Sequence, residues 1–211
     1  MKGKQQFYSQ VGQDKWVCEY FNYKKGGFFL DIGAADGITI NNTYYLEKEL
    51  EWKGICIEAL KENYNKLIVN RNSICEHKAA YHKKQTIYFL GDGNDGLGGY
   101  IAGPNNYTEL VEAIRIEDIL KEHNAPKLID YISLDVEGKE IQALMGFPFN
   151  EYEVALWTIE HNLHGGLTGQ ILKSGIKDIM TKNGYVILKE NVGTAPQYPM
   201  EDWYINEKHI K

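Results

Sequence analysis

The chain is poor in several features that would mark common alternatives. It has three cysteines, Cys18, Cys56 and Cys75, none in a Cys-x-x-Cys spacing, and the odd count argues against a disulfide scaffold. Cys56 lies inside an apolar run and reads as a small core residue, so a reducing, cytoplasmic compartment is the expectation. No apolar run approaches the ~20 residues that a membrane helix needs. Residues 1–7 are too polar for a signal peptide, so no membrane partner is expected. Positive charge is scarce as well: 23 Lys and Arg stand against 29 Asp and Glu, for a net charge of −6. Lysines pair at Lys24-Lys25 and Lys83-Lys84 but form no long basic patch, which argues against a nucleic-acid partner. Repeats and low-complexity linkers are absent, and nothing signals an oligomeric state.

What is present fits one α/β domain over residues 1–211. Fifteen tyrosines are many, and most are expected half-buried at the edge of the core. Strand and helix patterns alternate, which predicts a mostly parallel sheet with helices on both faces. Predicted strands cover 28–32, 54–58, 74–81, 86–90, 128–136, 154–160, 185–190 and 203–205. Predicted helices cover 13–24, 42–51, 61–71, 116–123, 137–145 and 168–183, the last closed by Gly184. The short loop between the last two strands leaves room for an antiparallel hairpin and none for a crossover helix. Residues 91–103 are so rich in Gly, Asp and Asn that no regular structure is expected there; the segment reads as a substrate lid or a variable surface loop.

The most informative stretch is Phe28 to Gly37, Phe-Phe-Leu-Asp-Ile-Gly-Ala-Ala-Asp-Gly. A buried strand runs into a turn of small residues, where another molecule can approach the backbone closely. The next strand ends in Glu58, and an acid at that place typically receives ribose hydroxyls. An adenosine-containing ligand follows. The dinucleotide pattern Gly-x-Gly-x-x-Gly fits poorly, because from Gly33 it needs glycines where Ala35 and Ile38 stand. The acid-x-Gly-x-Gly-x-Gly pattern of doubly wound S-adenosylmethionine enzymes fits with one change: Asp31-x-Gly33-x-Ala35-x-Gly37. That cofactor has no pyrophosphate, and Asp31 can accept from its ammonium group.

Six blocks in order extend the match. They are Ser9–Asp14, Phe29–Gly37, Asn41–Thr43 with Leu46-Glu47, Trp52–Glu58, Ile132–Gly138 and Thr158–Asn162. Together they resemble the FkbM-type methyltransferases, a branch of the class I S-adenosylmethionine-dependent enzymes. The resemblance implies a doubly wound, Rossmann-like seven-stranded sheet, mostly parallel with the last strand antiparallel. It implies methyl transfer, usually to a hydroxyl oxygen, often of a sugar or a polyketide. Asp31, Gly33, Ala34, Ala35 and Gly37 would cradle the amino-acid half of the cofactor. Glu58 with Ala59 would take the ribose, and Ala79 and Ala80 would lie near the adenine. An N-terminal helical segment, residues 1–25, would fold over the methionine end with Gln10, Gln13 or Asp14 in contact. Asp14 reads equally well as a helix cap.

Methyl transfer from a sulfonium leaves the protein mainly to position the acceptor, and a hydroxyl acceptor also needs a base or a metal. Ligands of open α/β sheets bind beyond the carboxyl ends of the strands. Asp135 closes one such strand, and Glu160, His161 and Asn162 close its neighbour. Asp135, Glu160 and His161 could hold Mg²⁺ or a similar cation. Without a metal, His161 or Asp135 would be the base. A third reading makes Glu160 and His161 purely structural. Glu137 and His164 are further candidates for substrate contact, with Glu137 equally suited to a helix N-terminus. The expectation is O-methylation of a sugar or glycoconjugate hydroxyl. The alternatives are an N-methyltransferase, a methyltransferase of a small natural product, and an inactive binding module.

Overall fold

The computed structural model describes residues 6–91, 98–101 and 108–210. In chain order the elements are α1 (Gln13–Tyr20), β1 (Phe28–Ile32), α2 (Tyr44–Leu50), β2 (Lys53–Glu58), α3 (Lys61–Asn70), β3 (Ile74–His77) and β4 (Ala79–Ala80). Next come β5 (Gln85–Gly91), β6 (Gly98–Ile101), β7 (Thr108–Ile114), α4 (Ile116–Glu122), β8 (Leu128–Leu134), α5 (Glu140–Met145) and β9 (Glu153–Glu160). The chain closes with α6 (Leu167–Lys182), β10 (Tyr185–Ala195) and β11 (Tyr198–Asn206).

Seven strands form the main sheet in the order β10-β11-β9-β8-β1-β2-β3. The run from β9 to β3 is parallel, while β11 is antiparallel to both β9 and β10. Chain order reverses between β1 and β8, and that switch point opens a crevice at the carboxyl ends of the strands.

Period-two alternation along the strands builds two cores. Leu30, Ile32, Ile55, Ile57, Ile132 and Leu134 pack with α4, α5 and α6 on one face. Phe29, Cys56, Tyr131 and Leu156 pack with α1, α2 and α3 on the other. The expected helices on both faces are therefore present. Among the described residues no helix is long and apolar enough to cross a membrane.

Two expectations are corrected, and one strand is added. Residues 74–81 are not one strand: the chain leaves the main sheet after His77, and Ala79-Ala80 pair with Ala113-Ile114 in a second sheet. That four-stranded sheet, β4-β7-β5-β6, rests on a small core of its own around Phe89, Val111 and Ala113. Its strand β7 went unread, although buried Val111 and Ala113 flank exposed Glu112 in a strand's alternation. The glycine-rich segment is partly regular, because Gly98–Ile101 pair with β5 through ladder bonds that need no side chains. The lid reading of 91–103 otherwise falls outside the described residues.

One buried network ties α2 and α3 to the end of β1. The Arg71 guanidinium, fully buried, donates to Glu47 Oε2 (2.9 Å), Thr43 Oγ1 (2.9 Å), Asn41 Oδ1 (3.1 Å) and the Gly37 carbonyl (3.3 Å). It lies near the rings of Phe29 and Tyr44, with its central carbon 5.3 and 5.9 Å from their centroids. The charge of Arg71 and donors from Asn72 and Ser73 hold the Glu47 carboxyl down to about 2 against its burial. Removing one partner of a buried pair strands the other charge. Arg71→Met is expected to lower stability by about 3–5 kcal/mol in urea unfolding, and a loss under about 1 kcal/mol would show that the network does not hold the fold.

Candidate active site

The crevice is built from the carboxyl ends of β1, β2, β8 and β9, with β4, β5, β11 and the segment before α1 as walls. After β1 the chain turns sharply. Gly33 has φ +87°, and a Cβ there would sit 1.7 Å from the Asp135 carbonyl oxygen, so only glycine lets the β1 and β8 loops cross this closely. Gly33 and Ala34 both donate to the Ile57 carbonyl. Ala35, at the relaxed position of the motif, adopts φ +48°. A left-handed alanine costs roughly 1–2 kcal/mol.

Asp31 lies at the crevice floor and is almost fully buried. Its Oδ2 accepts from Thr43 Oγ1 (2.6 Å) and Asn41 Nδ2 (2.9 Å), with Arg71 3.8 Å away. Burial pushes its carboxyl up, and Arg71 and these two donors oppose that shift. At the end of β2, Glu58 accepts from the backbone N–H of Leu60 (2.7 Å) and of Ala35 (2.8 Å). The carboxylate is thus held at the edge of the small-residue turn, with lone pairs left over. Burial nevertheless raises it to about 7.

Beyond β8 the crevice turns acidic. Asp135 and Glu160 face each other, and with Glu140 their ligand atoms all lie within 4.8 Å of one another. Burial and the neighbouring Asp135 push Glu160 well above its ordinary value, while Asp135, also raised by burial, is favoured in charged form by Glu160 and the Glu137 N–H. Glu140 is buried and collects loop amides: its Oε1 accepts from Val136 N (3.0 Å) and Gly138 N (3.1 Å). That is why α5 starts at Glu140 and not at the predicted 137. Glu137 and Gly138 instead take left-handed angles, φ +52° and +89°. Glu201 of β11 stands across from Glu160 in register, accepts from Trp203 Nε1, and is raised by burial to about 7.

Of the residues singled out in the sequence, Gln10, Gln13, Asp31, Gly33, Ala34, Ala35, Glu58, Ala59, Ala79, Ala80, Asp135, Glu137 and Glu160 line this one crevice. Four others are placed elsewhere. Asp14 is buried behind it, accepting from Ser9 and from the N–H groups of Tyr8, Ser9 and Lys15, which makes it the clasp of the turn before α1. Gly37 packs against Leu67 and Arg71 beneath the loop. His161 follows Glu160 by one residue and so leaves the chain on the opposite side. Its Nε2 lies 3.3 Å from Asp202 Oδ1 and its Nδ1 accepts from Leu163 N, so the ring faces Asp202 and lies outside the crevice lining. Asn162 takes a left-handed turn, φ +45°, away from the crevice lining. The His164 side chain lies outside the described residues.

Sequence reasoning missed Thr39, Ile40, Asn42, Lys78, Phe89, Ser133, Met200 and Glu201 in the lining. Asn42 and Ser133 are hydrogen-bonded across the switch point (2.9 Å). The Asn41-Asn42 pair was visible within a motif block, whereas Phe89 and Glu201 carried no signal of their own.

A seven-stranded sheet of this order, with an acid-flanked small-residue turn at its switch point, defines a methyltransferase architecture. The chain belongs to the FkbM methyltransferase domain family, whose model matches residues 31–187. It is accordingly an S-adenosylmethionine-dependent methyltransferase. No curated protein matches it. Among solved structures it is similar to Aeropyrum pernix fibrillarin with natively bound S-adenosyl-L-methionine: TM-score 0.53, 11% identity, 87% of this chain and 68% of that one covered. It is also similar to the TehB-like SAM-dependent methyltransferase of Corynebacterium glutamicum: TM-score 0.51, 10% identity, coverage 96% and 90%. A third is cofactor-bound Rv0187 from MTB: TM-score 0.56, 10% identity, coverage 96% and 83%. At these identities the likeness is one of fold.

Two consequences can be measured. Glu58, Glu140 and Glu201 are raised to about 7 in the folded protein from an ordinary 4.5. Between those values the folded state keeps protons that the unfolded state releases, so these groups make stability fall as pH rises from about 5 to 7. The cofactor-free protein should therefore melt at a higher temperature at pH 5.5 than at pH 7.5, and Glu201→Gln should flatten the slope; a flat wild-type profile would contradict this. Ala35→Gly removes the left-handed strain but adds unfolded-state entropy, so chemical denaturation should show a change between zero and about +1 kcal/mol. A loss of more than 1 kcal/mol would refute the strain.

Proposed function

We propose that the chain transfers a methyl group from S-adenosylmethionine to a hydroxyl oxygen of a sugar or glycoconjugate. When bound, the cofactor supplies an electrophilic methyl group and a neutral thioether leaving group. The residues present fit it. Gly33, Ala34 and Ala35 give close backbone approach at the switch point, and Asp31 is a buried acid suited to an ammonium group. Glu58 is pre-oriented for ribose hydroxyls by two amide donors, and Ala59, Ala79, Ala80 and Phe89 offer a small, apolar wall for a base. Gln10 and Gln13 in the lining support the reading that residues 6–25 close over the methionine end of a single domain.

The observation that carries the hydroxyl reading is the Asp135–Glu160 pair. Two buried carboxyls this close disfavour a second negative charge, and burial raises both above their ordinary values, which makes the one that ionises a stronger base. Asp135 would take the hydroxyl proton as the acceptor oxygen bonds to the methyl carbon. Glu160, protonated, orients it. An amine acceptor would need no such base beyond its own lone pair, which makes N-methylation the second choice.

A divalent cation is a competing way to balance the same charges. Asp135 Oδ1, Glu140 Oε2 and Glu160 Oε2 are buried without a donor from neighbouring groups. These three hard oxygens suit Mg²⁺, with Glu140 in the place expected for His161.

Calorimetry should show S-adenosylmethionine binding and no NAD binding; the reverse would end this reading. Asp135→Asn should lower turnover of S-adenosylmethionine to S-adenosylhomocysteine, in the presence of an acceptor, by about 10²–10⁴-fold. Cofactor affinity should stay within a few-fold. Full activity in excess EDTA would remove the cation and leave the shared proton.

A further inference from the structure

The crevice is charged with one sign. Beyond the cofactor cradle, its β8, β9 and β11 side carries Asp135, Glu137, Glu160 and Glu201. The lining holds one cationic side chain, Lys78, and its ammonium is tied to Glu76 (3.0 Å) and Glu122 (3.4 Å). The glycine-rich sequence 92–107 contains no Lys or Arg. What the acidic side offers besides carboxyls is neutral: the Gln10 and Gln13 amides, the Asn42 amide, and the apolar Ile40 and Met200. Ile40 is 60% exposed although it adopts φ +45°. An apolar side chain held out at such a turn is suited to a C–H face.

From this charge inventory we propose that the methyl acceptor is a polyhydroxy compound that carries no phosphate or carboxylate at and around the accepting hydroxyl. The proposal rests on the hydroxyl-methylation reading above and narrows it. Amides donate to and accept from hydroxyls, and carboxylates accept from them, without any counter-ion. An anionic group placed beside Asp135 and Glu137, with the carboxyls of Glu160 and Glu201 around them, meets repulsion with no described cation to offset it, in a site where burial reduces screening. Phosphorylated sugars, nucleotide sugars, uronic acids and nucleic-acid backbones all carry such a group. A divalent cation on Asp135, Glu140 and Glu160 would be balanced by those three carboxylates, with Glu137 and Glu201 still beside them.

The test needs no knowledge of the acceptor, since cofactor analogues can carry charge at the transferable position. Affinities would be measured by calorimetry on the full chain, with and without Mg²⁺, for S-adenosylmethionine, S-adenosylhomocysteine, sinefungin (an amine at that position), and the S-carboxymethyl and S-carbamoylmethyl analogues. The last two match in size and differ in charge. The carboxymethyl analogue should bind at least 100-fold more weakly than the carbamoylmethyl one, and Glu137→Gln with Glu201→Gln should narrow that gap by about tenfold. Binding of the two within threefold of each other overturns the proposal. If bulk excludes both, sinefungin decides. Tenfold tighter binding than S-adenosylhomocysteine supports the acidic acceptor side, and equal binding overturns it. Failure of S-adenosylmethionine itself to bind would instead strike the functional reading on which the proposal stands.

Discussion

The buried guanidinium of Arg71 is the contact on which the site depends. It comes from the residue that caps α3, yet it grips the loop that follows β1 at the Gly37 carbonyl, Asn41 and Thr43, and it neutralises Glu47 from α2. The same Asn41 and Thr43 hold the carboxylate of Asp31. A planar fork with five donors can serve all these acceptors at once, which an ammonium could not. The loop that must let a cofactor come close is therefore fixed from behind by charge-assisted bonds, leaving its front free of bulky side chains. Glu47 is shared between Arg71 and Lys48 (2.8 Å), and Asp31 lies 3.8 Å from Arg71 at the floor of the cradle, an acid suited to a cationic ligand.

Buried acids recur across the crevice. Glu58, Glu140 and Glu201 are driven toward neutral by burial, and Asp135 and Glu160 can coexist only by sharing a proton or a cation. Each such group costs the cofactor-free fold some stability. A protein selected for stability alone would replace them with apolar residues or pair them with lysines. Their concentration at one end of one sheet, while carboxylates elsewhere such as Glu47 and Glu76 are paired and lowered, is the pattern of a candidate functional site.

Much of the fold was legible because the main sheet is buried on both faces and its strands read as apolar runs. Phe28–Ile32, Leu128–Leu134 and Glu153–Glu160 could hardly be anything else. The second sheet was hidden for the opposite reason. Its strands are short, half-exposed and interleaved with polar residues, and Ala79-Ala80 carries no pattern that tells which sheet it joins. Asp14 was open to two readings, and the structural one fits its contacts: an acid at the start of a helix serves the backbone, and here it gathers the amides of Tyr8 and Ser9.

The acidic end shows most clearly what a sequence withholds. Glu160-His161 looks like a base beside a ligand, but adjacent residues at a strand end point to opposite sides, so one of the two had to be excluded from the crevice. Which one goes is set by Asp202, buried on β11 beneath His161, and that partner lies forty-one positions further along the chain. Residue 140 takes the vacated place for a similar reason. A helix that began at 137 would have turned Glu140 by most of a turn relative to Asp135. The left-handed pair Glu137-Gly138 delays the helix, and the Glu140 carboxyl drops back onto the loop beside Asp135 and Glu160. Residue types and their order named the candidate groups, while the left-handed pair Glu137-Gly138 and the partner Asp202 decided which of them face the crevice.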